Sequence, residues 1–223
     1  MMDSRYERYE NHHDHEKYLL KPPLEALRTR LKVFGVDESE LQPLPLICNL
    51  KIRQVVLTPR RKFDPTIGEI ETYVRYLSPR SLGELKELVG VPNRVMKNNT
   101  SCAGRRDLCM HHLPGQKDFS FQTLDPEQRI AVRDAAHNLL YGYVDEDRAS
   151  RGPLKAVSDY MLEVSQNLGV FVAQDLIVCP GHTIQFQNFA ALYFNNVLVF
   201  GTGQIKLGNH TKLHAHQVIH VPA

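Results

Sequence analysis

Three apolar runs near the C-terminal end of the sequence decide the fold: DLIVC at residues 175–179, NVLVF at 196–200 and QVIHV at 217–221. The runs begin at evenly spaced positions, so the sequence repeats itself without a gap. Positions between the runs also match, namely Ile184 with Ile205, Asn188 with Asn209, and Leu192 with Leu213. A fixed period of this length indicates a structural unit that buries its apolar face against its neighbours.

The repeat unit has the composition of β-strands. It is rich in Val, Ile, Phe and Tyr, and Pro180-Gly181 and Gly201-Thr202-Gly203 break it into short segments. The pattern predicts an α+β fold, in which a helical N-terminal region is followed by a short parallel β-solenoid of 21-residue coils capped by a helix. This architecture resembles that of polymer-forming β-solenoid proteins, and the resemblance implies an assembly function.

The predicted last coil is open, and Lys206 and Lys212 are its charged residues. An open strand edge is a template for pairing with another chain. We therefore expect a homo-oligomer that forms through this end of the solenoid, as a closed dimer or as a filament, with a protein client as a further partner. The expected oligomer interface consists of Leu213, Gln217, Val218, Ile219, His220 and Val221.

The predicted domain organisation has five segments. In chain order they are a flexible arm at 1–18, a mainly helical domain with a strand at 19–97, an irregular linker at 98–121, a two-helix segment that caps the solenoid at 122–168, and the β-solenoid of two to three coils at 169–223.

Within these segments, residues 46–57 have the composition of a strand, and roughly 66–77 is predicted to be helical. The clearest helix start is at 125–128, where Asp125 is a good N-cap, Pro126 suits the first helical position and Gln128 the third.

Composition excludes several function classes. The formal net charge of +2 is too small to indicate a nucleic-acid or membrane partner for the whole chain. Residues 1–21 contain no apolar run long enough for a signal peptide or a membrane span. The four cysteines, Cys48, Cys102, Cys109 and Cys179, show no disulfide framework, which favours reduced thiols. We therefore expect a cytoplasmic protein with no membrane partner.

The alternative to an assembly protein is a nucleic-acid-binding protein that dimerises through the solenoid. Residues 81–97 resemble a helix-turn-helix, with a capped helix, Gly90 at the turn and a second short amphipathic run. Basic residues nearby would contact phosphates. The candidate nucleic-acid contacts are Lys51, Arg53, Arg60, Arg61, Lys62, Arg94 and Lys97.

Two clusters contain residues that ligate metals. The motif Gly-x5-His-x-His at 208–216 resembles the opening of the cupin metal motif, which implies two His ligands and a carboxylate, but His220 stands near the position of the expected Glu. The second cluster comprises Cys102, Cys109 and His111, and the spacing between its two cysteines is wider than that of most zinc-binding pairs. We predict no metal and no cofactor. The residues weighed as ligands are His214, His216, Cys102, Cys109 and His111.

The sequence contains no recognisable catalytic motif. There is no Gly-rich phosphate loop, no nucleophile elbow and no paired-carboxylate motif. The repeat region carries only Asp175, Lys206 and Lys212 as charged residues, so it offers no general acid and base with an orienting partner. We expect a non-enzymatic protein.

Overall fold

The computed structural model describes residues 31–32, 36–37, 44, 47, 52–91, 106–115, 119–144, 146–209 and 211–222. The chain divides into two compact units. The first unit joins Met1–Tyr76 to Gly169–Ala223, and the second is Leu77–Leu168. The predicted arm at 1–18 lies outside the described residues.

The first unit contains the β-structure. Its described strands are β1 (Gln54–Leu57), β2 (Phe63–Asp64), β3 (Gly68–Glu69), β4 (Val74–Leu77), β5 (Leu168–Val172), β6 (Asp175–Val178), β7 (Thr183–Phe186), β8 (Ala191–Phe200), β9 (Gln204–Leu207) and β10 (Lys212–Val221). One sheet has the order β1-β7-β9, and a larger one has the order β10-β8-β5-β4, with β6 also paired to β8. Strands β2 and β3 form a short antiparallel pair.

The period of the sequence repeat reappears as the register of the parallel strands. In β6 and β8, Asp175 pairs with Asn196, and in β8 and β10, Asn196 pairs with Gln217. In β7 and β9, Thr183 pairs with Gln204. Equivalent positions of the repeat therefore lie side by side, so that like side chains stack along the direction of the hydrogen bonds.

The core of the first unit is built on an aromatic cluster. Phe171 is fully buried and its ring lies 5.2 Å from that of Phe186, 5.6 Å from that of Phe189 and 5.9 Å from that of Phe194. The contacts with Phe186 and Phe189 are edge-to-face, and such pairs add about 0.5–1.5 kcal/mol each to the burial of apolar area. Tyr73, which precedes β4, stacks on Phe171 at 5.4 Å and brings the N-terminal part of the unit into the same core.

The second unit is helical. Its described helices are α1 (Leu82–Val89), α2 (Pro126–Leu140), α3 (Glu146–Ala149) and α4 (Gly152–Val164), with a 3-10 helix at Met110–His112. Helix α2 begins as predicted: Asp125 accepts a hydrogen bond from the Gln128 backbone, and the Gln128 side chain accepts one from the Asp125 backbone. Gly90 follows α1 where a Cβ atom would lie 2.4 Å from the Leu140 carbonyl oxygen, so the close approach of the two segments requires glycine. None of the described helices is both long and apolar enough to cross a membrane.

The predicted fold class is wrong. The described chain is a mixed α/β protein with four helices and several sheets, not a helical region followed by a β-solenoid capped by a helix. Strands from the N-terminal half enter both large sheets: β1 pairs with β7, and β4 lies beside β5. Residues 66–77, predicted to be helical, form β3, a 3-10 helix at Ile70–Tyr73 and β4. Pairing with strands distant in sequence overrides the local helical spacing of their apolar residues.

Candidate interface at β9 and β10

The stacked apolar columns of the first unit end at β9 and β10 with exposed side chains. Leu176, Val197 and Val218 form one column across β6, β8 and β10. Leu176 and Val197 are fully buried, whereas Val218, on the outermost strand, is 61% exposed. Apolar residues at equivalent positions thus differ in exposure according to whether a further strand lies beside them.

The other columns end in the same way. Phe186 on β7 is fully buried, and its partner Leu207 on β9 is 41% exposed. Leu213 continues the column of Leu192, and it is half-buried where Leu192 is fully buried. The end of the core formed by β9 and β10, which we call the open end, therefore presents the side chains that would be interior if another strand followed.

Backbone groups of β9 point outward at the open end. Gln204 N donates to His182 O and Gly208 N donates to Phe186 O, so these residues face β7. Because consecutive residues of a strand alternate in direction, the backbone groups of Ile205 and Leu207 face away from β7. Outward-facing N–H and C=O groups are what an edge strand offers to another chain.

Strand β10 changes phase at its middle. Lys212 N donates to Ala190 O and Val221 O accepts from Gly201 N, so both residues face β8 although an odd number of positions separates them. The direction in which successive backbone groups point therefore changes phase once along β10. The change falls at His216, which has no partner in the register between β8 and β10. The backbone groups of Leu213, Ala215, Val218 and His220 consequently face away from β8.

Polar residues of the repeat form a ladder that runs toward the open end. Asp175 Oδ1 accepts hydrogen bonds from Asn196 N at 3.0 Å and from Asn196 Nδ2 at 2.6 Å. Gln217 is the next position of the same column. His220 Nε2 lies 2.7 Å from Gly201 O.

Residues 204–221 contain two lysines and no acidic residue, so the open end carries little charge.

All six residues predicted for the interface lie on β10. Val218 and His220 are exposed, and the other four, Leu213, Gln217, Ile219 and Val221, are half-buried. The prediction omitted Ile205, Leu207 and Ala215, whose apolar side chains belong to the same open end. Their places in the repeat, as equivalents of Ile184, Phe186 and Phe194, are the sequence signal that identifies them.

The predicted nucleic-acid contacts have different surroundings. Arg53, Arg60 and Lys62 are exposed, around β1 and the turn that follows it. Arg61 instead bonds within the chain, to Val56 O, Phe63 O and the carboxylate of Asp64. Lys51, Arg94 and Lys97 lie outside the described residues. Of the predicted helix-turn-helix at 81–97, the first helix is present as α1, and residues 92–97 lie outside the described part.

The residues weighed as metal ligands do not come together in the part of the chain that is described. There, no group of three or more His, Cys, Asp or Glu side chains has metal-binding geometry. His214 is buried and stacks on Tyr193 at 4.5 Å with nearly parallel rings, whereas His216 is exposed. Cys109 is a free, exposed thiol, and His111 packs edge-on against His112. Cys102 lies outside the described residues.

Cys179 departs from the prediction of reduced thiols. It is disulfide-bonded, and its partner lies outside the described residues. Cys179 follows β6, and Cys179 N donates to Ile47 O while Ile47 N donates to Ile177 O. The expectation that all four cysteines are reduced is therefore wrong for Cys179.

A cavity of about 400 Å³ lies in the second unit. It is lined by Met110, Asp147, Arg148, Arg151, Gly152, Pro153 and Leu154. Among the described residues, this lining combines guanidinium groups with one carboxylate and contains no imidazole, thiol or hydroxyl group. These described lining residues therefore include no nucleophile paired with a base.

Comparison of the chain with protein-family models, with curated proteins and with solved structures gives no match.

Proposed function

We propose that this protein is a non-enzymatic assembly protein that self-associates through the open end formed by β9 and β10. The observation that carries the proposal is the column of Leu176, Val197 and Val218, in which the outermost member is 61% exposed although its two equivalents are fully buried. A second copy placed on the open end would give Val218 the surroundings that its equivalents already have.

The chemistry of the open end favours a copy of the same chain as the partner. It offers apolar side chains and outward backbone groups, which any strand with the same features can satisfy. An acidic partner would call for a larger basic patch than the two lysines of residues 204–221 provide. Burial of one valine side chain contributes about 1.5–3 kcal/mol, and each symmetric contact would bury it twice.

The test is the mass of the purified full chain in solution, measured by sedimentation equilibrium over a wide concentration range. We expect a mass above that of the 25.5 kDa monomer. Val218→Lys is expected to shift the equilibrium toward monomer, because the lysine would place a charge in the contact. Val164→Lys is the matched control, since Val164 is 58% exposed on α4 of the second unit and does not belong to the open end.

A monomer at every concentration would refute self-association. Equal dissociation of the Val218→Lys and Val164→Lys variants, with both folded, would show that the contact lies elsewhere.

Nucleic-acid binding is a second candidate because exposed aromatic residues accompany the basic ones in the first unit. Phe63 and Tyr76 are both exposed, and Tyr76 Oη donates to Pro59 O beside Arg60. Bases of single-stranded nucleic acid stack on aromatic rings while basic residues contact phosphates. Lys62, however, lies 3.4 Å from Glu71, which reduces its availability for phosphate.

The second candidate is tested by fluorescence anisotropy with labelled single-stranded oligonucleotides at several salt concentrations. Binding is expected to weaken steeply with salt and to be lost in Arg60→Glu, with Arg129→Glu on α2 of the second unit as control. Salt-independent binding, or binding that both variants retain, would contradict a role for this surface.

The predicted cytoplasmic location is a further part of the proposal, and the disulfide at Cys179 is the observation that bears on it. Disulfides persist in oxidising compartments and are rare in the cytosol. Alkylation of intact cells followed by mass spectrometry decides the matter. A Cys179 peptide found alkylated supports the cytoplasm, and one found disulfide-linked contradicts it.

A further inference from the structure

We infer that the open ends of two copies meet each other, so that assembly closes at a two-fold dimer instead of continuing as a filament. The inference rests on the proposed self-association and specifies its geometry. A filament would require the open end of one copy to pair with the opposite edge of the next copy. At the opposite edges of both sheets, arginine side chains donate hydrogen bonds to backbone carbonyl groups.

In the three-stranded sheet, the opposite edge is β1. Arg53 O accepts from Thr183 N and Leu57 O accepts from Gln187 N, so both carbonyls point toward β7. Alternation then directs Val56 O away from β7, to the outer edge. The guanidinium of Arg61 donates to Val56 O and occupies the acceptor that an incoming strand would need.

Arg61 is held in this position by the short turn after β1. Its Nη2 atom lies 2.9 Å from Asp64 Oδ2, and its Nε atom donates to Phe63 O at 3.0 Å. Asp64 is itself buried and accepts a hydrogen bond from Thr66 N at 2.8 Å. The arginine is therefore part of a connected polar cluster, and an incoming strand would have to break several charge-assisted bonds to displace it.

In the larger sheet, β5 and β6 both pair with β8 on the side opposite β10. Backbone bonds to Ile47 cover β6, and β4 is the edge beyond β5. Arg75 Nη1 donates to Val74 O at 3.1 Å and to Thr72 O at 3.0 Å. At the open end, in contrast, the outward positions of β9 are the apolar residues Ile205 and Leu207, whose side chains carry no hydrogen-bond donor. Edges protected by charged side chains resist strand pairing, whereas the outward positions of β9 carry no charged side chain.

The phase change in β10 suits antiparallel pairing of this strand with its own copy. Outward backbone groups belong to Leu213, Ala215, Val218 and His220. A two-fold axis between His216 and Gln217 sets Ala215 opposite Val218 of the partner subunit and Leu213 opposite His220 of the partner subunit. Every outward residue then faces another outward residue, which is the condition for hydrogen-bonded pairs in an antiparallel ladder.

The same pairing separates the charges of β10. Lys212 lies opposite Val221 of the partner subunit, so the two Lys212 side chains stand at opposite ends of the ladder. Like charges directly opposite each other destabilise a cross-strand pair. The antiparallel arrangement avoids that cost for Lys212 without needing an acidic residue in the interface.

The experiment mixes two variants that pair badly with themselves and well with each other. Val218→Lys places two lysines in the homodimer, and Ala215→Glu places two glutamates there. Each homodimer is expected to be about 100-fold weaker than that of the unaltered chain, from the loss of apolar burial and the added charge at two sites. In the mixture, the lysine introduced at position 218 of one chain faces the glutamate introduced at position 215 of the other. We therefore expect a heterodimer with one copy of each variant, at least about tenfold tighter than either homodimer.

The outcomes separate the inference from the proposed function. A dimeric unaltered chain together with a preferred heterodimer supports the two-fold geometry. Polymers that grow with concentration overturn the two-fold geometry and leave self-association standing. A dimeric chain whose two variants show no preference for each other overturns the antiparallel pairing. A monomeric unaltered chain overturns the proposed function, and the inference with it.

Discussion

Replacing Arg61 by methionine tests whether this side chain stabilises the fold or is a solvated basic residue. The substitution keeps the aliphatic stem and removes the guanidinium, which bonds to Val56 O, Phe63 O and Asp64. It leaves the buried carboxylate of Asp64 without its cation. Breaking a fully buried ion pair costs about 3–5 kcal/mol.

The Arg61 side chain is 37% exposed, so solvent screens part of this interaction. We therefore expect Arg61→Met to lower the free energy of unfolding by about 2–3 kcal/mol. Lys62→Met is the matched control, because the ion pair of the adjacent Lys62 within the described part of the chain is an exposed contact of 3.4 Å with Glu71. Exposed pairs of this kind contribute about 0–1 kcal/mol.

The assay is equilibrium unfolding in urea, followed by far-UV circular dichroism because the chain has no tryptophan. The double variant Arg61→Met/Asp64→Asn removes the unpaired carboxylate and is expected to recover about 1 kcal/mol or more. A destabilisation no larger than that of Lys62→Met would refute the reasoning. Failure of Asp64→Asn to recover stability would show that the uncompensated carboxylate is not the cause.

Two further predictions concern the core and one turn of the first unit. Burial raises the pKa of Tyr73 above the ordinary value of 10.0. The stability that its neutral side chain contributes to the fold is therefore complete below pH 10.0 and is lost as pH rises through the raised pKa. Urea unfolding of Tyr73→Phe should therefore depend less on pH above about pH 10 than that of Tyr141→Phe, whose ring is exposed; equal dependence would contradict the assignment. Gly203→Ala should lower the free energy of unfolding, measured by thermal denaturation, by about 1–3 kcal/mol, because its Cβ would lie 2.9 Å from Cys179 O. Gly115→Ala meets no neighbour among the described residues and should be neutral.

The repeat could be predicted from the sequence because its period is a local pattern. Equivalent positions of the repeat pair in β6, β8 and β10, and all six residues predicted for the interface lie on β10. The start of α2 was also predictable, since Asp125 and Gln128 satisfy each other's backbone groups within one helical turn. In both cases the residues that make the structural contacts are themselves the residues of the sequence pattern.

The segment 66–77 shows why the remainder was not predictable. Ile67, Ile70, Tyr73 and Val74 have the spacing of one helix face, and all four are buried. The segment nevertheless forms two strands and a 3-10 helix, because β4 lies beside β5, which follows it only after the whole helical unit. Local periodicity records that these side chains are buried, but not which partner buries them.

The roles of Arg61 and Cys179 were hidden for the same reason. As sequence, Arg61 belongs to a basic run that suggests phosphate contacts, and only the turn after β1 brings it to Val56 O and Asp64. Cys179 follows a strand of the repeat with no cysteine framework nearby, and only the fold reveals that it is disulfide-bonded. These features depend on geometry that no spacing along the chain encodes.

The sequence by itself determined that equivalent strands of the repeat would lie side by side and that the last strands would expose apolar side chains. Only the tertiary structure decided which segments cover the other edges of the sheets. Strand β1 pairs with β7 although Gln54 and its partner Thr183 lie in opposite halves of the sequence. A repeat constrains itself because its members share one pattern, whereas a pairing over such a distance is selected by the total burial and hydrogen bonding of the folded chain.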